Sequence, residues 1–137
     1  MENEGRFYLD TSIWLDFLED RGNNGDAAYK LLKFIINRNY KIIFSEAIKD
    51  ELLEYGLSMD NIRSFLSVFK RNVICLYVNK KQFRKAKDIS NKRNIPVFDA
   101  LHAIIARDNS AVMITRDRHF DKLLDIVRYK KPEEIII

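Results

Sequence analysis

The chain has 137 residues, 47% of them apolar and 32% charged, a globular composition with enough length for one domain around its own core. Its 24 basic and 20 acidic side chains leave a net charge of +4, which admits a polyanionic partner without requiring one. One cysteine, Cys75, excludes an internal disulfide framework and a cysteine-built zinc site; no apolar run reaches the roughly 18 residues of a membrane span; and the polar start at Met1–Gly5 does not read as a signal peptide, so the expected compartment is cytoplasmic.

Short β runs alternate with helical patterns, with no repeat, low-complexity tract or linker. Arg6–Leu9 predicts a strand, and the spacing of Ile13, Trp14, Phe17 and Leu18 predicts a helix to about Asp20. Gly22–Gly25 reads as a loop. Ala28, Leu32, Ile35 and Ile36 mark a second helix. Lys41–Phe44 is a strand, and Ser45 caps the helix after it. Ser58 starts another helix, with Ile62, Phe65, Leu66 and Phe69 on one face. Val73–Val78 reads as a strand, Lys80–Lys92 as a basic helix and Val97–Arg107 as an almost wholly apolar helix. Ala111–Thr115 is a strand, followed by a short helix holding Phe120, Leu123 and Leu124. Ile126–Val127 is a last short strand, and Pro132 breaks the tail. This order predicts an α/β fold over residues 1–137, with a mainly parallel sheet and helices on both faces. Ligands of such folds bind beyond the carboxyl ends of the strands.

Four acids stand out. Asp10 and Asp117 follow predicted strands, where the crevice should lie, although an ordinary helix N-cap explains each equally well. Glu51 falls on or beside the buried stripe of its helix: at about 100° per residue from Ile48 it lies about 40° beyond Tyr55, at the stripe's edge, while Glu46 and Asp50 face away. A carboxylate there must be paired, protonated or bound to a cation, and an ion pair with a lysine or arginine is the alternative. Asp99 and His102 are the only polar residues within Val97–Ala106, three apart and on one face. A buried Asp99–His102 pair is the alternative here. Four converging carboxylates would repel one another unless some were protonated or a cation lay between them. Hard oxygen ligands favour Mg²⁺ or Mn²⁺, and such ions assist hydrolysis at phosphorus.

The segments FYLDTSIWLDFLE, FSEAIKDELLEYG, PVFDALHAIIA and VMITRDRHFDKL, with the tail KKPEEI, resemble the PIN domains, and within them the VapC-like toxin ribonucleases. The resemblance covers nearly the whole chain. It rests on the order Asp10, Glu51, Asp99, Asp117, spaced 41, 48 and 18 residues apart. It implies a three-layer α/β/α sandwich and a metal-dependent endoribonuclease that hydrolyses single-stranded RNA to leave a 5′-phosphate and a 3′-hydroxyl. It places the catalytic and metal-binding roles on Asp10, Glu51, Asp99 and Asp117. Asp10 and Asp99 would ligate Mg²⁺ or Mn²⁺ directly, and Glu51 and Asp117 would hold metal waters or a second ion. Ser12, where many relatives carry Asn, and Thr115 would support these acids. The implied partners are single-stranded or structured RNA, a VapB-like antitoxin and a second copy of the chain in a homodimer.

Arg116 and Arg118 flank the fourth acid and are candidates for contact with the substrate backbone. The basic residues from Lys80 to Arg93 offer a phosphate track, or simply a solvated helix face. Neither His102 nor His119 is assigned a catalytic role. The main alternatives are a housekeeping RNA-processing nuclease and a catalytically silent RNA-binding module. A phosphoacceptor signalling domain ranks low, because the third strand, VICLYV, ends without an aspartate.

Overall fold

The computed structural model describes residues 5–136; apart from Gly5, the polar start read above as lacking a leader lies outside them. Strands buried on both faces need continuous apolar runs, and the sequence supplies them. β1 (Arg6–Leu9), β2 (Lys41–Ser45), β3 (Val73–Leu76), β4 (Val112–Ile114) and β5 (Tyr129–Lys130) form one sheet in the order β3-β2-β1-β4-β5. Every neighbouring pair is parallel. β1 is central, with Phe7 level with Ile42 on one side and Val112 on the other.

Helices surround the sheet, as the α/β/α reading expects. α1 (Thr11–Leu18), α2 (Gly22–Asn37), α3 (Glu46–Tyr55), α4 (Met59–Val68), α5 (Lys80–Arg93), α6 (Val97–Asp108) and the short α7 (Pro132–Ile135) are joined by a 3-10 segment, Arg118–Leu123. The caps are where the sequence puts them. The Ser45 hydroxyl accepts the Ile48 N–H, and the Ser58 hydroxyl accepts the Asn61 N–H. Trp14 of α1 is fully buried and packs among Phe44, Phe65 and Phe69; its loss to alanine would cost about 3–5 kcal/mol. α6 is buried continuously from Ala100 to Ala106 and packs along α5, which contributes Ala86 and Ile89.

Four expectations change. Gly22–Gly25 is the first turn of α2 rather than a loop. Gly22 takes the left-handed turn, with φ +59°, and Gly25 lets α2 pass close to the end of α1, since a Cβ there would lie 2.8 Å from the Asp16 carbonyl. The last strand is Tyr129–Lys130, not Ile126–Val127, because the N–H groups of Ile126 and Val127 both bond the Leu123 carbonyl and hold them in a turn. Pro132 opens α7 instead of ending the chain's order, as its missing N–H allows at a first helical turn. Tyr55 sits at the end of α3's apolar stripe, yet it is exposed, and its hydroxyl binds Glu19 and Arg21. No helix among the described residues is long and apolar enough to cross a membrane.

Candidate functional site

The chain places β2 and β3 to one side of β1, then β4 and β5 to the other. Connections leave in opposite directions at such a switch point, and a crevice forms beyond the carboxyl ends of the two strands. Asp10 follows β1 there. Its N–H donates to the Ile114 carbonyl at 2.9 Å, so the pairing with β4 runs one residue past the strand. As the N-cap of α1, its Oδ1 accepts the Thr11 N–H at 2.8 Å. Oδ2 accepts the Thr115 hydroxyl at 2.8 Å and, more loosely, the Ser12 hydroxyl at 3.4 Å. The Thr115 oxygen also accepts the Asp117 N–H at 3.0 Å. One hydroxyl thus ties the first acid to the loop that carries the fourth. Burial raises the Asp10 carboxyl above its ordinary value, against the opposing influence of His102 and Thr115.

Glu51 reaches the same place from the middle of α3. Its Oε1 accepts the Thr11 hydroxyl at 2.6 Å and lies 2.6 Å from His102 Nε2. Burial works to raise this carboxyl, yet the contacts from His102 and Thr11 leave it below its ordinary value. Its partner is therefore a histidine and a threonine, not the lysine or arginine weighed from the sequence.

Asp99 lies in the first turn of α6, half-buried. Burial, then the charges of Asp117 and Asp10, push it up to about 6. Its Oδ2 is 3.2 Å from His119 Nδ1, which is also 3.4 Å from Asp117 Oδ1. Asp117 caps the 3-10 segment by accepting the His119 N–H at 2.8 Å. The alternative Asp99–His102 pair does not form, since both His102 nitrogens are engaged, Nε2 by Glu51 and Nδ1 by Tyr8.

The four acids thus gather in two groups, each with one histidine: Asp10, Glu51 and His102, and Asp99, Asp117 and His119. In each group one ligand atom per residue lies within 4.8 Å of the others. The influence of Asp10 on Asp99 joins the two electrostatically. The oxygen-rich donor set fits a hard divalent cation. Burial is the larger cause of the push on Asp99, and the neighbouring carboxylates of Asp117 and Asp10 add to it.

Several participants were not assigned from the sequence. Thr11 was passed over between Asp10 and Ser12. The sequence pairs His102 with Asp99, three residues before it in an apolar helix, whereas in the structure it engages Glu51. Arg116 is turned inward: its two terminal nitrogens bind the Glu133 carboxylate at 2.8 Å each, and its Nε lies 3.9 Å from buried Asp16. Arg118 is almost fully exposed, 3.7 Å from Asp121. On α5, Lys80 and Arg84 line a depression of about 450 Å³ that also takes in Asp50 and Phe98, the chain neighbours of Glu51 and Asp99.

A parallel α/β sandwich with an acidic crevice at its switch point is the class of structure that these observations define. The sequence profile of the PIN domain family matches residues 7–124, and the chain belongs to that family. Among curated proteins no sequence match is found. Solved structures with a similar fold include VapBC2 from Rickettsia felis, bound to a DNA fragment from its promoter, at 18% identity and a TM-score of 0.65, covering 89% of this chain and 96% of that one. VapBC-1 from nontypeable Haemophilus influenzae is similar at 20% identity and a TM-score of 0.67, over 93% and 98%. FitAcB from Neisseria gonorrhoeae is similar at 19% identity and a TM-score of 0.63, also over 93% and 98%.

Proposed function

We propose that this chain is a Mg²⁺- or Mn²⁺-dependent endoribonuclease that cuts single-stranded RNA. In the cytoplasm it would serve as the toxin of a type II toxin–antitoxin pair, as a homodimer restrained by a VapB-like antitoxin. The observation that carries this reading is the gathering of Asp10, Glu51, Asp99 and Asp117 into two groups coupled through the charge of Asp10 on Asp99, which is pushed up to about 6. Asp10 and Asp99 would hold the cation directly, and Glu51 and Asp117 would hold its waters or a second ion. Thr115 and Ser12 orient Asp10. A bound cation supplies charge against the scissile phosphate and a more acidic water. The depression bordered by Lys80, Arg84 and Phe98 supports a path for the RNA strand, with basic side chains for phosphates and an aromatic for a base. Arg118 is free to add a phosphate contact, whereas Arg116 would first have to leave Glu133. The toxin assignment is supported by family membership and by the VapBC complexes among similar folds.

The direct test is cleavage of a mixed single-stranded RNA pool by the purified protein with Mg²⁺ or Mn²⁺, with EDTA, and by an Asp99→Asn variant. Metal-dependent cutting that is lost in the variant is the expected result. Growth arrest on expression, relieved by the same substitution, separates a toxin from a processing nuclease. Absence of both cutting and metal binding would overturn the proposal.

A further inference from the structure

We propose that Tyr8 and His102 are positioning residues for Glu51, acting through a one-way hydrogen-bond chain that starts at a helix cap and ends on the carboxylate. Its importance to the reaction rests on the nuclease reading above; its existence does not. Tyr8, Ser45 and His102 are at most 1% exposed. The Tyr8 hydroxyl, projecting from the central strand, lies 2.7 Å from Ser45 Oγ and 2.7 Å from His102 Nδ1. His102 Nε2 lies 2.6 Å from Glu51 Oε1. Both ends of the chain belong to α3, because Ser45 is its N-cap and Glu51 stands in its second turn. The path between them runs through β1 and α6.

Counting protons gives the chain its direction. The Ile48 N–H donates to Ser45 Oγ at 3.2 Å. The Ser45 hydrogen then goes to the Tyr8 oxygen, the Tyr8 hydrogen to His102 Nδ1, and the Nε2 hydrogen to Glu51. Each hydrogen is used once and each acceptor is filled. A ring protonated at Nδ1 would have to donate to Tyr8. That turns the Tyr8 hydrogen toward Ser45 and leaves the Ser45 hydrogen without an acceptor among the described residues. A ring protonated only at Nδ1 would also set a lone pair against the Glu51 oxygen. Buried donors left in that state are costly. The chain therefore specifies the Nε2–H form of His102. Glu51 Oε1 receives two donors, Thr11 and His102, while Oε2 receives none among the described residues. A flexible glutamate is thereby held with one oxygen committed and one left for a ligand beside Asp10.

Partners of this kind hold ligand groups in place, and their removal typically costs about 10–100-fold in metal affinity or activity. The test uses three variants of the full chain, checked for folding by circular dichroism. Tyr8→Phe removes only the hydroxyl. His102→Leu removes the donor. His102→Gln restores an N–H near the position of Nε2. With two histidines in the sequence, ¹⁵N spectra of the ring nitrogens report the protonation pattern of His102 directly. The ¹³C shift of the Glu51 carboxyl reports its surroundings, and Mn²⁺ binding is measured by paramagnetic resonance. The expected results are an Nε2–H ring in the unmodified protein and a mixed or altered pattern in Tyr8→Phe. The Glu51 shift should move in both Tyr8→Phe and His102→Leu. Mn²⁺ affinity should fall about 10–100-fold in His102→Leu, less in Tyr8→Phe, and largely recover in His102→Gln. A His102 ring carrying its proton on Nδ1, or a Glu51 signal indifferent to Tyr8→Phe and His102→Leu alike, would overturn the proposal. Failure of the unmodified protein to bind Mn²⁺ would sink the nuclease reading instead, and the nitrogen and carbon shifts would still decide the chain.

Discussion

Burial and the charges of Asp117 and Asp10 push the Asp99 carboxyl from 3.8 to about 6, so the folded protein binds this proton more tightly than the unfolded chain does. Between those two values the native state carries the extra proton, and stability falls as pH rises through the window. Above about 6 the ionised carboxylate costs the metal-free protein about 2–3 kcal/mol. Asp99→Asn keeps the shape and removes the charge. It should raise the melting temperature of the metal-free protein by several degrees at pH 7.5 and by little at pH 4, while RNA cleavage is lost. An unchanged melting temperature at pH 7.5 would mean that neither the burial of Asp99 nor its neighbouring acids carry a cost. The four acids were legible because each broke a local pattern, at a strand end or on an apolar helix face. Tyr8, Thr11 and the actual partner of His102 were not, since a helix pattern cannot say which carboxylate will pack opposite His102.

Elements place these residues, and α1 and α2 approach closely at Gly25. A Cβ there would meet the Asp16 carbonyl at 2.8 Å and the Asp20 backbone at 3.0 Å, and neither is the mobile end of a side chain. Helix propensity favours alanine over glycine by about 1 kcal/mol, whereas forcing atoms into a packed contact costs about 1–3 kcal/mol. Gly25→Ala should therefore be net destabilising in a urea melt; a higher midpoint would show that α1 and α2 separate freely. The contact also explains the misplaced loop. GNNG has the composition of a turn, and only the packing of α2 against the end of α1 makes it helical. Helix starts at Ser45 and Ser58 were readable because their caps are local hydrogen bonds. β5 was not, because two residues have no period, and its pairing with β4 depends on where the 3-10 segment delivers the chain.

For the molecule as a whole, a cation held at the proposed site would couple stability to its binding. A ligand that binds only the folded state at 100 times its dissociation constant adds about 2.7 kcal/mol. Under the proposed function that gain would compete with protons. Asp10 and Asp99 are both raised, Asp99 to about 6, so protonation of Asp99 would displace a cation as pH falls toward and below that value. Glu51 is lowered, so it stays charged further into acid, and the stability that it contributes is lost only as pH falls through its depressed value. Comparing melting with and without Mn²⁺ at each pH cancels the titrations unrelated to the site. The Mn²⁺-induced rise should be largest at pH 7–8 and shrink through the region of pH 6. It should be small at every pH in Asp99→Asn, because that variant has already relieved the repulsion and lost a ligand. A gain that is constant across pH, or that survives the substitution intact, would place the cation elsewhere on the surface. The acid cluster would then be a strained but metal-independent feature of the fold.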